Sequence, residues 1–337
     1  EIPEMVKKNN VKKILVYGEV DTGKSFFSTF IANRLMDMGL KTGVIDTDTG
    51  QSDIGAPGTI GYGLFDKKYS SLSSVPVEKE YFIGNLSPGG SFAVFLAGIS
   101  KVAQYASKTS DVFIMDTTGW VHGDGGRSIK RAKTDIVDPD MAILLQRGTE
   151  LEHLVQHLPE SKIVRIKVSK SASFTSQEVR RQLRETISKR YFKNAKEVEF
   201  SLDQVNFERT YLGSGVIEHG DFLDVLRFEK LPAWEGNLMV FAENIEQKQK
   251  AELLAKYPNT RWFRPSYLKD IYVGIADSNG FALSVGTIQK VDFLNKKITV
   301  LTPLADSTKN KAAFIQMGLT RYEKDGTEAG FVVPGSI

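Results

Sequence analysis

The sequence predicts an α/β fold: a mostly parallel sheet flanked by helices, followed by a smaller, mostly β C-terminal domain. Three observations predict it. Residues 18–25 form a glycine-bracketed octapeptide between a strand-like run and a helix-like run. Strand-like and helix-like segments alternate through the first half. After about residue 194 short strand-like runs take over, punctuated by Gly, Asn and Asp. The expected domains are residues 1–195 and 196–337.

Taken in order, residues 14–17 (Ile-Leu-Val-Tyr) read as a buried strand and residues 23–38 as a helix that Gly39 ends. Residues 42–46 and 81–85 read as strands, residues 91–105 as a helix and residues 111–116 as an apolar strand closed by an acid. Residues 141–146 form a strand, a helix is expected around residues 150–157, and residues 162–168 form a further strand. Residues 177–192 read as a helix on which Val179, Leu183 and Ile187 form an apolar stripe. Arg180 and Arg184 lie one turn apart on an adjoining face and can reach one target together. In the second domain, strands are expected at residues 197–202, 236–242, 271–276, 283–291 and 297–301, and one helix at 245–257.

Composition narrows the function classes. The chain has 337 residues, 41% of them apolar and 25% charged, which is ordinary for a globular protein. No apolar stretch approaches the roughly 18 residues of a membrane span. The absence of Cys excludes disulfides, thiolate metal sites and a Cys nucleophile, and fits a cytoplasmic enzyme. The chain opens at Glu1 without Met, so its start is expected to be trimmed. Net charge is +3, unevenly placed: residues 161–193 hold ten Lys/Arg against two acids, leaving 34 basic against 39 acidic elsewhere. Such a basic stretch suits an anionic partner or, more plainly, a solvated helix.

Gly18, Glu19, Val20, Asp21, Thr22, Gly23, Lys24 and Ser25 fit the phosphate-binding pattern G-x-x-x-x-G-K-[ST] in full, in the strand–loop–helix setting it needs. The glycines let backbone N–H groups curl around a phosphate, and the helix N-terminus adds partial positive charge. Lys24 would reach the β- and γ-phosphates and Ser25 would hold Mg²⁺; Phe26 completes the segment.

Three further groups carry chemistry. Asp46 and Asp48 end a strand with one residue between them. Beside a polyphosphate they could hold Mg²⁺ or accept a proton from an attacking hydroxyl; alternatively, one of them caps the following turn. Asp116 ends another strand, as does the usual partner of a phosphate loop, and Thr117-Thr118-Gly119-Trp120 follows. Trp120 is either a stacking platform for a nucleobase or a core residue packed beneath its loop. Arg180 and Arg184 suit a lid over a transferring phosphate, because a guanidinium grips phosphate oxygens bidentately. The alternative is the charged outer face of an amphipathic helix. His153 and His157 have i,i+4 spacing without a third ligand, so a solvated face is expected.

In order, residues 18–25, 46–51 (Asp-Thr-Asp-Thr-Gly-Gln), 117–120 and Arg180-x-x-x-Arg184 match the signature set of the polynucleotide 5′-hydroxyl kinases, and the chain resembles that family over nearly its whole length. The resemblance extends through residues 50–60, 180–192, 273–277 and 298–303. It implies transfer of the γ-phosphate of ATP, with Mg²⁺, to a 5′-OH end of RNA or DNA. It implies that Lys24, Asp48, Arg180 and Arg184 are catalytic and that Ser25 ligates the metal, with Asp46 and Asp48 the further metal candidates of the carboxylate pair described above. Gln51, Thr117, Gly119 and Trp120 would meet the terminal nucleotide, Trp120 by stacking. Eukaryotic members carry an N-terminal β domain that helps bind adenine; with so few residues before Ile14, that domain is expected to be absent or removed, as in the archaeal branch.

Two competing readings remain. A non-catalytic ATP-binding scaffold of an RNA-processing complex need not keep Lys24, Asp48 and the lid arginines together. A P-loop GTPase or partitioning-type ATPase leaves the Thr-x-Gly-Trp loop and basic lid unexplained, and Asn295-Lys296-Lys297 does not continue into a guanine-reading motif. If residues 161–193 dock a polyanion, oligonucleotide binding weakens steeply with rising salt. A titration across salt concentrations checks this, and salt-insensitive binding would remove that stretch as the docking surface.

Overall fold

The computed structural model describes residues 1–337 except Lys170, Ser171, Ser173, Phe174, Asp221 and Pro334, together with the side chains of Pro88 and Gln177. Lys170, part of the basic stretch above, therefore lies outside the described residues. The chain divides into two compact units, Glu1–Ile187 and Ser188–Ile337.

The first unit runs α1 (Ile2–Lys8), β1 (Lys13–Gly18), α2 (Lys24–Asp37), β2 (Thr42–Asp46), β3 (Thr59–Phe65), β4 (Lys79–Phe82), α3 (Phe92–Thr109), β5 (Val112–Asp116), α4 (Gly123–Val137), β6 (Met141–Gln146), β7 (Ile163–Lys167) and α5 (Gln177–Phe192), which spans the division. Its sheet has the order β4-β3-β2-β5-β1-β6-β7. The last five are parallel, and β3 and β4 continue the sheet antiparallel. Val16 and Asp46 both pair with Asp116, so β1, β2 and β5 end at one level and their loops emerge together. Ile14, Val16, Leu35, Val44, Ile114 and Ile143 pack in one apolar cluster. This is the layered arrangement expected from the alternation, with ligand-binding loops at the strand carboxyl ends.

Two local expectations are corrected. The helix expected around residues 150–157 is one 3₁₀ turn, Glu152–Leu154. Glu150 instead turns its carboxylate back to the amides of Arg147 and Gly148, at 2.5 and 2.7 Å, and so ties the segment into a turn. The strand expected at residues 81–85 is β4, Lys79–Phe82, paired with a β3 that glycine-rich composition hides. Gly61 is needed there, since a Cβ would sit 1.8 Å from the Ile54 carbonyl oxygen. A further helix, α4, which the sequence analysis does not anticipate, opens at Gly123-Asp-Gly-Gly126. Tertiary packing overrides its weak propensity: Ile129, Lys130, Lys133, Thr134 and Val137 line a buried face.

The second unit contains β8 (Lys196–Ser201), β9 (Asn206–Glu208), β10 (Val216–Ile217), β11 (Val225–Leu231), β12 (Gly236–Phe241), α6 (Gln247–Lys256), β13 (Thr260–Phe263), β14 (Ile271–Ala276), β15 (Ala282–Asp292), β16 (Lys297–Thr302), β17 (Phe314–Tyr322) and β18 (Glu328–Phe331). Strands in the order β18-β17-β14-β15-β16-β8 pair antiparallel, and β9 adds parallel to β17. A second sheet, β10-β11-β12-β13, places α6 on the crossover between parallel β12 and β13. The mostly β character expected of this half is observed.

Lys130 and Lys133 are fully buried in α4, where lysine is rare. Burial holds the Lys130 amine well below its ordinary value and lowers that of Lys133 to about 7, against the attraction of Asp116, Asp48 and Asp46. In the unfolded chain Lys133 titrates near its ordinary 10.5. Between those values the unfolded chain binds more protons, so this group's contribution to stability rises with pH. It is lowest below about 7, where the ammonium is buried charged. Lys133→Met removes the titration. The stability of the variant relative to the parent should therefore be greatest at about pH 6 and shrink towards about pH 9, checked by urea denaturation. A difference that grows with pH would contradict the assignment.

Candidate active site

The phosphate loop is built by the turn between β1 and α2. Gly23 lies at φ +82° and Asp21 at φ +59°, the left-handed region that lets successive N–H groups face inward. Gly18 cannot carry a side chain, because a Cβ would fall 2.3 Å from Thr22 Oγ1. Thr22 Oγ1 and Lys24 Nζ both donate to the Glu19 carbonyl, at 2.9 and 2.7 Å. Desolvation lowers the Lys24 amine, opposed by the nearby carboxylates of Asp116 and Asp48. Glu19 also meets His122 and, at 3.4 Å, Arg147 Nη1. Val20 and Phe26 are exposed, Phe26 to 76%.

Three carboxylates stand beside this loop, each with a different environment. Asp116 accepts a hydrogen bond from Ser25 Oγ at 2.7 Å through Oδ2. Its Oδ1 is buried and has no hydrogen-bond partner among the described residues. Burial raises the Asp116 carboxyl above its ordinary value, while the Lys24 ammonium pulls it back. Asp46 was expected near the metal, but both of its oxygens are committed to backbone amides. Oδ1 accepts from Asp48, and Oδ2 from Asp53 and Ile54, at 2.6–3.1 Å. Asp46 therefore shapes the loop that carries Asp48, the capping role weighed above. Asp48 is half-buried, and its Oδ1 accepts from the amides of Gly50 and Gln51 at 3.2 Å. Gln51 is thereby held by its backbone.

The donor set fits a magnesium ion. Mg²⁺ takes one or two protein ligands and fills the rest of its shell with water and phosphate oxygens. The Ser25 hydroxyl and the unpartnered Asp116 oxygen supply hard oxygen donors at the phosphate loop. Among the described residues no cluster of three His, Cys, Asp or Glu side chains forms a cage of its own.

The loop after β5 lies against the phosphate loop. Thr117 Oγ1 donates to the Val16 carbonyl at 2.8 Å. Gly119 is required by this approach, since a Cβ would come within 2.7 Å of the Val20 backbone nitrogen. Trp120 is half-buried, with its ring stacked on Phe92 at 6.1 Å and 17° between planes. The first turn of α4 passes beneath that ring, where a Cβ on Gly125 would lie 2.7 Å from it. Trp120 is thus neither a free platform nor a core residue.

From α5, Arg180 Nη1 reaches Asp21 Oδ2 at 3.6 Å, and the Thr175 amide donates to the same oxygen at 2.7 Å. Arg184 is half-buried one turn further on. Two residues of the apolar stripe are exposed, Val179 to 45% and Leu183 to 47%, and Ile187 is half-buried. His153 and His157 take no part; His153 Nε2 lies 3.1 Å from the Val121 carbonyl.

The structure therefore brings together residues 18–25, Asp48, Asp116, Gly119, Trp120 and Arg180. Sequence reasoning missed Arg147, His122, Lys130 and Lys133. Arg147 follows β6, a usual ligand-binding edge, so its position was available. The lysines carried a signal only in their spacing on a helix that composition concealed.

Comparison with known proteins identifies the family. Residues 18–194 match the family described as mRNA cleavage and polyadenylation factor CLP1 P-loop. The chain is 34% identical over 327 residues to a polyribonucleotide 5′-hydroxyl-kinase of Pyrococcus abyssi, covering 95% of this chain and 90% of the relative. A polyribonucleotide 5′-hydroxyl-kinase of Methanocaldococcus jannaschii is 27% identical over 333 residues, covering 96% and 91%. A chain of the wild-type Clp1p–Pcf11p complex superposes with a TM-score of 0.63 at 13% identity, covering 95% of this chain and 78% of that one, which shows a common fold. The chain belongs to the Clp1-type P-loop family, in the branch of the archaeal polyribonucleotide 5′-hydroxyl-kinases.

Proposed function

We propose that this protein is an ATP- and Mg²⁺-dependent polynucleotide 5′-hydroxyl kinase acting on RNA or DNA ends. One observation supports the reading: β1, β2 and β5 end at a common level, so the phosphate loop, the Asp116 oxygen without a partner, and the loops that carry the half-buried Asp48 and Trp120 leave the same edge of the sheet. The 34% identical relative bearing the kinase name supports it. RNA is the acceptor in that relative's name. A cytoplasmic location is part of the same proposal.

The residues take separate roles. The amides of residues 18–25 and Lys24 hold the phosphates of ATP, with Lys24 exchanging the Glu19 carbonyl for phosphate oxygen. Ser25 and Asp116 would hold Mg²⁺, with Asp48 within reach, and the ion would neutralise charge on the β- and γ-phosphates. Asp48 takes the proton of the 5′-hydroxyl as that oxygen bonds to the γ-phosphorus and the β–γ bridge breaks, releasing ADP. Trp120 stacks on the terminal base, and Thr117 and Gly119 place its loop. Arg180 and Arg184 swing onto the transferring phosphoryl group, Arg180 leaving Asp21.

Transfer of labelled γ-phosphate from Mg·ATP to matched 5′-OH RNA and DNA oligonucleotides tests this. Lys24→Ala and Asp48→Asn should each lose roughly a hundredfold or more in kcat. Trp120→Ala should chiefly raise KM for the oligonucleotide, by about tenfold, as loss of one stacking contact requires. No transfer by a protein that still binds ATP would favour the scaffold reading instead.

A further inference from the structure

Two relays of the same design run from α4 to the strand ends of the site. Lys130 Nζ donates to Thr117 Oγ1 at 2.8 Å, and that hydroxyl donates to the Val16 carbonyl at 2.8 Å. Lys133 Nζ donates to Thr47 Oγ1 at 2.7 Å, and that hydroxyl donates to the Asp116 carbonyl at 2.7 Å. Both threonines directly follow a strand-ending aspartate, in Asp46-Thr47 and Asp116-Thr117. Lys130 also reaches the Thr118 carbonyl and hydroxyl. Thus each lysine ties one loop of the site to the same helix.

Stability alone does not call for these lysines. Among the described residues the acceptors of both ammonium groups are neutral oxygens. Each lysine is fully buried, and desolvation opposes its charged form. Apolar side chains of similar volume would fill the same space without that cost. What only the lysines provide is a donor that reaches from a rigid helix to a loop hydroxyl. Lys130 bonds at the base of the loop that carries Trp120, and the Trp120 ring rests on the first turn of the same helix. Lys133 bonds to the residue beside Asp48.

We propose that Lys130 and Lys133 are positioning residues for acceptor binding and transfer: Lys130 sets the loop of Trp120, Lys133 sets the loop of Asp48, and α4 fixes the spacing between them. The inference rests on the kinase reading above.

The test is a KM-against-kcat split with 5′-OH RNA and Mg·ATP. Lys130→Met should raise KM for RNA about tenfold and leave KM for ATP within about twofold. Lys133→Met should lower kcat about tenfold and leave KM for RNA within about twofold. Thr117→Val cuts the first relay at its other end, keeps the test open if Lys130→Met does not fold, and should reproduce the RNA defect. Thr117→Ser should recover most of that loss, and Lys130→Met with Thr117→Val should be no worse than either alone. In a Trp234→Phe, Trp262→Phe background, RNA should quench Trp120 emission at about tenfold higher concentration in Lys130→Met than in its parent.

Constants within about twofold of the parent in both Met variants would overturn the proposal. So would a proportional loss in every constant with unchanged quenching, the mark of a purely structural role. If the unmutated protein transfers no phosphate, the kinase reading fails on its own. The quenching titration then still decides the Trp120 half of the proposal, which unchanged quenching in Lys130→Met would overturn.

Discussion

Asp116 is the residue through which the parts of the site are joined. Its backbone carbonyl accepts both the amide and the hydroxyl of Thr47, at 3.1 and 2.7 Å. Its side chain accepts the hydroxyl of Ser25. Its strand pairs with β1 on one side and β2 on the other. One buried residue thereby links the phosphate loop, the loop of Asp48 and the loop of Trp120. Parallel pairing makes this possible, since all three strands then deliver their carboxyl ends to one edge. An antiparallel neighbour would have sent one of these loops to the opposite end.

The electrostatic arrangement follows from that convergence. Asp46, Asp48 and Asp116 crowd one edge of the sheet, and burial lifts the carboxyls of Asp46 and Asp116 above their ordinary range. Amides satisfy Asp46, a serine hydroxyl satisfies half of Asp116, and the Lys24 ammonium attracts the Asp116 carboxylate. The Asp116 oxygen left without a partner is costly in a buried place unless a cation or water completes it. That cost is the physical argument for a metal at this position.

Much of the first unit was legible because phosphate binding leaves local marks. Gly18 and Gly23 are dictated by close approach and by a positive φ, both of which a sequence pattern records. The apolar runs of β1, β5 and β6 announce strands buried on both faces. Where signals conflicted, local composition misled. Gly123-Asp-Gly-Gly126 has the composition of a loop, yet it opens α4 because glycine lets the chain pass beneath the Trp120 ring. Asp46 and Asp48 are the same residue type two positions apart, and only the folded loop separates Asp46, buried with both oxygens bound by amides, from the half-buried Asp48.

By itself the sequence determined the fold class, the phosphate loop and the order of the signature segments, since each is written in residues close together along the chain. The tertiary structure alone decided which oxygen of Asp116 stays unpartnered, that Trp120 rests on Phe92 and α4, that Arg180 meets Asp21, and that two lysines lie buried behind the loops. These depend on strand order and on the paths of α4 and α5, which bring residues 86 and 159 positions apart into contact. Such pairings carry no local periodicity, so they exist only once the sheet has assembled.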